Sequence, residues 1–173
     1  MESTWKNSIW QQFGAAIDML DNALSACPAE LWHEQLWHIP QEQTGFTEFW
    51  YLAYHTLFWL DLNLSGTEEG FVPPTPFTLA ESDPAGLLPE RPYTKDELQS
   101  YLAHCRRKCE ATIVALTAER AEQLCIFGRR EMSFAELLLY TMRHVQEHAA
   151  QLSLFLGQQR GLASSWVAKA KHP

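Results

Sequence analysis

The chain has 173 residues, 46% of them hydrophobic, and a formal net charge of −8 from 13 basic and 21 acidic side chains. That length suits one domain, 1–173, with a buried core, while the acidic balance argues against nucleic acid, anionic membrane surfaces and polyanionic substrates. MESTWKNSIW lacks the basic-then-apolar order of a signal peptide and no stretch approaches the roughly 20 apolar residues of a membrane span, so a cytoplasmic protein with no membrane partner is expected.

The first periodic segment runs from about Thr4 to Ala26. Trp5, Ile9, Phe13, Ala16, Leu20 and Leu24 recur every three or four residues, the helical period, and Pro28 ends it. LWHEQLWHIP follows, with His33 and His38 five apart. Five residues rotate a helix by about 500°, so the two point about 140° apart, and surface or interface positions fit them better than a shared ligand role.

The second segment, about Thr47 to Leu64, is apolar almost all round and therefore mostly buried. Mid-helix it carries His55, a polar group that must find a partner there. Ser65-Gly66 stops it. Residues 65–93 hold six of the nine prolines and read as a long crossover, with Phe71, Phe77 and Tyr93 to pack it down.

A third helix opens at Thr94-Lys95-Asp96-Glu97, a capping box, and continues to Leu116. Its Cys105 and Cys109, at i and i+4, are placed poorly for a disulfide. With Cys27 and Cys125 they read as buried reduced thiols, a His104/Cys105/Cys109 metal cluster being the minor alternative. A fourth helix opens at Ser133-Phe134-Ala135-Glu136, a second capping box, and ends near Leu156, before Gly157 and Gly161. Ser164 to Ala170 reads as a terminal turn, and no strand of period two stands out. The expected fold is all-α: a four-helix bundle with a long crossover between helices two and three.

The fourth helix contains RHVQEH. His144 and His148 share one helix face, with Cβ atoms about 6 Å apart, a bite that lets both imidazoles reach one metal ion. H-x-x-E-H is also a zinc-protease pattern, but it needs a downstream acidic ligand, and no Asp or Glu follows His148. Glu147, about 100° round from His148, reads as a solvated face residue. Bundle cores build metal sites from facing helices, so His55, His144 and His148 form a candidate metal site. The pattern alone leaves hydrogen-bonded core histidines equally open. Glu48, two turns before His55, is a candidate to orient an imidazole, and Gln151 a candidate to touch a bound ligand. Trp50, Tyr51, Tyr54 and Trp59 are candidate pocket walls, or core.

A chain of this length, with His55 in WYLAYHTLFWL and His144, His148 and Gln151 in RHVQEHAAQLSLFLGQQRG, resembles the DinB-like superfamily, also called YfiT-like. LLPERPYTKDELQSYL is similar to it as well, and the resemblance runs from about residue 5 to 162. It implies a bundle with a three-histidine divalent metal site, often zinc or nickel, and often a homodimer. Relatives include thiol S-transferases using bacillithiol or mycothiol, and maleylpyruvate isomerases. The commoner ending H-x-x-x-H-x-G-Q departs here to Ala149-Ala150-Gln151, which leaves the pocket shape open.

Three neutral imidazoles leave a divalent ion its charge and an open position, the basis of a hydrolase working with water or a transferase working with a low-molecular-weight thiol. The expected function is a metal-dependent small-molecule enzyme of one of these types. A non-catalytic metal-binding stress protein and a dimeric structural or interaction bundle are the alternatives. Imidazole suits zinc, nickel, copper and iron alike.

Overall fold

The computed structural model describes residues 3–38 and 45–171. His172 lies outside the described residues. Four long helices dominate: α1 (Ser3–Ala26), α2 (Phe49–Ser65), α3 (Lys95–Ala115) and α5 (Phe134–Arg160). A five-residue helix α4 (Ala118–Glu122) and a hairpin of β1 (Leu124–Phe127) and β2 (Arg130–Ser133) lie between α3 and α5. α1 and α2 each pack against both α3 and α5.

The core follows from the sequence periods. On α1, Phe13, Ala16, Ile17, Leu20, Ala23 and Leu24 recur at helical spacing and are buried. Trp5, one residue of the same expected stripe, lies beyond the packing and is exposed. The last carbonyls of α1 are taken by another helix: Lys95 Nζ donates to Ser25 O (2.7 Å) and Cys27 O (3.0 Å).

α2 is buried on nearly every face, including the polar Thr56, Asp61 and Asn63. Asp61 is matched by donors from α3, Tyr101 Oη at 3.0 Å and Lys108 Nζ at 2.6 Å. The helix ends at Gly66, whose φ of +77° lies in the left-handed region. A Cβ there would also meet the Phe134 ring at 3.2 Å.

The capping box of α3 forms in full: Glu97 N–H donates to Thr94 Oγ1 (3.3 Å) and Thr94 N–H to Glu97 Oε2 (2.8 Å). That of α5 forms by half. Glu136 N–H donates to Ser133 Oγ, but Ser133 is also the last residue of β2, and Phe134 N–H turns to Gln123 O instead.

The hairpin is a correction to the all-helical expectation. Its pairs run from Leu124↔Ser133 to Phe127↔Arg130. Cys125 and Phe127 face the core, whereas Leu124 and Ile126 are exposed. Both faces of β1 carry apolar residues, so burial alternates along LCIF while hydropathy does not. Gly128, with φ +58° at the turn, is where a two-residue hairpin loop needs glycine.

The 65–93 segment packs down. Phe77 stacks on Tyr101 with ring centroids 4.2 Å apart, Tyr93 lies 4.6 Å from Phe77, and Tyr54 Oη donates to Thr78 O. A one-turn 3-10 helix, Leu79–Ser82, sits on this anchor. The 162–171 stretch is not a terminal turn of helix but runs along α1, with Ala170 N–H donating to Gln11 O and Lys171 N–H to buried Asp18. All four cysteines are buried and unbridged. Burial pushes the Cys27 thiol up to about 12 and Cys105 and Cys109 well above the ordinary range. Among the described residues, no helix is long and apolar enough to cross a membrane.

Candidate metal centre

α2 and α5 lie side by side, and their facing surfaces bring His55, His144 and His148 together. His144 and His148, one turn apart, have ring centroids separated by 4.5 Å. His55 reaches across from α2, 5.1 Å from each of the other rings. The Nε2 atoms converge: His144 Nε2 stands 3.1 Å from His55 Nε2 and 3.1 Å from His148 Nε2.

The far side of each ring fixes which nitrogen carries the proton. His55 Nδ1 lies 2.6 Å from Glu81 Oε1, and His148 Nδ1 lies 2.7 Å from Gln151 Oε1. Both partners are acceptors, so both Nδ1 atoms donate and both Nε2 lone pairs point inward. One proton on His144 Nε2 cannot serve two facing lone pairs equally. His144 Nδ1 is buried without a partner among the described residues, whichever way the cluster is read. A hydrogen-bonded histidine core therefore accounts poorly for the cluster. A cation accounts for it well, since two imidazoles on one tetrahedral ion at the usual metal–nitrogen distance stand about 3.3 Å apart, near the 3.1 Å seen.

Electrostatics favour the ligand form. Burial, reinforced by neighbouring His148, His55 and Arg130, pushes the His144 pKa down to about 3. Burial also lowers His148, partly offset by the hydrogen bond to Gln151. Both rings are neutral near pH 7, and a neutral imidazole is what binds a metal ion.

Glu81 organises the outer side. Its Oε1 accepts from His55 Nδ1 and from Trp59 Nε1 (3.0 Å), and its Oε2 from Tyr51 Oη (2.6 Å). Carboxylates placed in this way orient a metal-bound histidine and raise its basicity. The sequence suggested Glu48 for the role. The structure puts Glu48 elsewhere, accepting from Trp50 Nε1 (2.6 Å) and facing His33 Nδ1 (3.2 Å). Glu48 precedes α2, which begins at Phe49, so the helical spacing that would aim it at His55 does not apply. Gln151 supports His148 from behind. Glu147 is solvent-exposed, as are His33 and His38. His104 lies 3.4 Å from Asp61, away from a thiol cluster.

The three histidines open on a cavity of about 380 Å³, walled further by Trp59, Glu81, Tyr140, Arg130 and Asn63. Trp59, open between pocket wall and core on the sequence, is a pocket wall. Tyr51 acts through Glu81, and buried Tyr54 belongs to the aromatic stack with Phe77 and Tyr93. Glu81, Asn63 and Arg130 carried no distinguishing signal in the sequence. Glu81 is one of several acidic residues in a long connection, and Arg130 is one of two adjacent arginines, Arg129-Arg130, in a segment with no motif.

These features define a mostly helical protein with a histidine-lined open cavity, and the family comparison agrees. The DinB superfamily model matches residues 12–152. The chain belongs to the DinB superfamily. Searches of curated proteins and of solved structures return no significant match.

Proposed function

We propose that this chain is a metal-dependent small-molecule enzyme in which His55, His144 and His148 hold one divalent ion, zinc or nickel. One observation carries the reading: His144 Nε2 lies 3.1 Å from the Nε2 of both His55 and His148 at the wall of a cavity, and the latter two rings have their protons committed to Glu81 and Gln151 on the far side. A storage or sequestration role has no use for that cavity. The chemistry a divalent ion supplies when bound there is Lewis acidity, which lowers the pKa of a water or thiol it polarises.

The remaining residues favour a thiol over water. Glu81 is the carboxylate on the described cavity wall, and both its oxygens are already engaged. The Tyr51 phenol is pushed above its ordinary range, chiefly by burial and then by Glu81, so it stays protonated as a donor. Neither group is placed to take a proton from water. On such an ion a coordinating thiol is deprotonated outright, whereas a bound water still titrates near about 7. The transferase reading therefore leads the hydrolase reading. The same reading takes the four long helices as a four-helix bundle with residues 65–93 as its crossover, and the working form as a cytoplasmic homodimer. Steady-state turnover of a small thiol with a model electrophile, measured with zinc-loaded and nickel-loaded protein, tests it. Thiol-dependent product formation that disappears in His148→Ala supports it, and no turnover across a panel of low-molecular-weight thiols overturns it.

A further inference from the structure

The other wall of the cavity carries groups that the histidines do not use. Asn63, on α2 two turns beyond His55, is only 2% exposed, yet among the described residues neither its Nδ2 nor its Oδ1 has a partner. Buried side-chain amides are nearly always hydrogen-bonded, so an unpaired one on a cavity wall marks a place for a ligand's polar group. Arg130, on β2, lines the same cavity. It donates to Tyr140 Oη at 2.6 Å, and its guanidinium stands 5.3 Å from the Tyr140 ring and 5.7 Å from the Trp59 ring. Those contacts hold the guanidinium in place while using few of its five N–H donors. Among the described residues, Arg91, Arg106 and Arg160 pair with carboxylates, Arg107, Arg120, Arg129, Arg130 and Arg143 do not, and of all these only Arg130 lines the histidine cavity.

We infer that Arg130 and Asn63 form a recognition subsite for a carboxylate on the substrate. This inference deepens, and rests on, the reading of the histidine cluster as a metal-dependent active centre. A fixed guanidinium binds a carboxylate through two parallel N–H bonds, and the Asn63 amide supplies a further donor from α2. Charge selects a single carboxylate over a dianionic phosphate. At this wall Arg130 offsets one negative charge and Glu81 opposes a second, whereas the charge of a bound ion sits at the three histidines and faces the reacting end. The volume of about 380 Å³ restricts the ligand to a compact molecule. Its carboxylate lies at the hairpin side and its reacting end faces the three Nε2 atoms.

The test is calorimetric titration of matched acid and amide probes. 3-Mercaptopropionate and 3-mercaptopropanamide are titrated into zinc-loaded protein, and propionate and propionamide into metal-free protein, with metal content read on the same samples. In both pairs the acid is expected to bind on the order of tenfold more tightly than the amide. Arg130→Gln removes that preference and Arg130→Lys keeps part of it, while metal content stays at the wild-type level. Equal affinity of acid and amide in the wild type overturns the inference, and this comparison needs no variant to fold. A preference that survives in Arg130→Gln overturns it as well. Inorganic phosphate binding as tightly as propionate overturns the assignment to a carboxylate. Protein that takes up no metal but still prefers propionate supports the subsite and instead sinks the metal reading.

Discussion

Glu81 and Glu48 give the sharpest contrast at the residue scale. Each is an acid that accepts an indole N–H, but only Glu81 touches a histidine of the cluster. Removing a carboxylate that orients a metal-bound histidine costs about 10–100-fold in metal affinity. Glu81→Gln is therefore expected to weaken zinc binding by that factor, and Glu48→Gln to leave it unchanged, as read by competition with a chromogenic chelator. Protons compete at the same site. The His144 pKa is depressed from the usual 6.5 to about 3 in the fold, so between those values the unfolded chain binds more protons than the native one. The corresponding stability of metal-free protein is complete above about pH 6.5 and is lost as pH falls towards 3. Urea titrations at a series of pH values should show this fall, and His144→Ala should flatten it. The sequence placed these histidines because a spacing of four on one helix is a local signal. It missed Glu81 because the 26-residue separation from His55 is closed only by tertiary packing.

The elements carrying the site differ in how much of them could be read in advance. The long helices were legible from the apolar period, Thr94 and Ser133 at the starts and Gly66 at the end of α2, but α5 runs through Gly157 to Arg160 and stops only at Gly161, not near Leu156. The β1–β2 hairpin was not, because Leu124 and Ile126 are apolar yet exposed and so hide the alternation. With the hairpin went Arg130. The 65–93 connection was legible as a long, aromatic-bearing segment, but not as the carrier of Glu81. Its anchor is Phe77, buried against Tyr54, Tyr93 and Tyr101. Phe77→Ala should cost about 3–5 kcal/mol in chemical denaturation. It should also weaken metal binding, since the 3-10 turn holding Glu81 begins two residues later. Asp61→Ala is the control on the opposite contact of α2. It removes the carboxylate partner of Lys108, which keeps the Asp61 carbonyl and Ser65 Oγ as acceptors, and the acceptor of Tyr101, for a loss of roughly 2 kcal/mol, with metal stoichiometry unaffected.

For the whole molecule, the two ligand-bearing helices do not adjoin in sequence. α2 supplies one imidazole and α5 two, so an ion held by all three ties distant parts of the chain together in the native state only. Free zinc at a thousandfold excess over Kd would stabilise the fold by roughly 4 kcal/mol, which for a chain of this size raises Tm by about 10 °C. The most direct measurement of the central claim is the metal content of untagged protein by elemental mass spectrometry, after incubation with zinc and with nickel. Wild type is run beside His55→Ala and His148→Ala. The structure leads us to expect close to one metal ion per chain in the wild type and loss of it in both variants. No metal in the wild type after loading, or metal retained when His55 and His148 are each removed, would contradict the three-histidine centre.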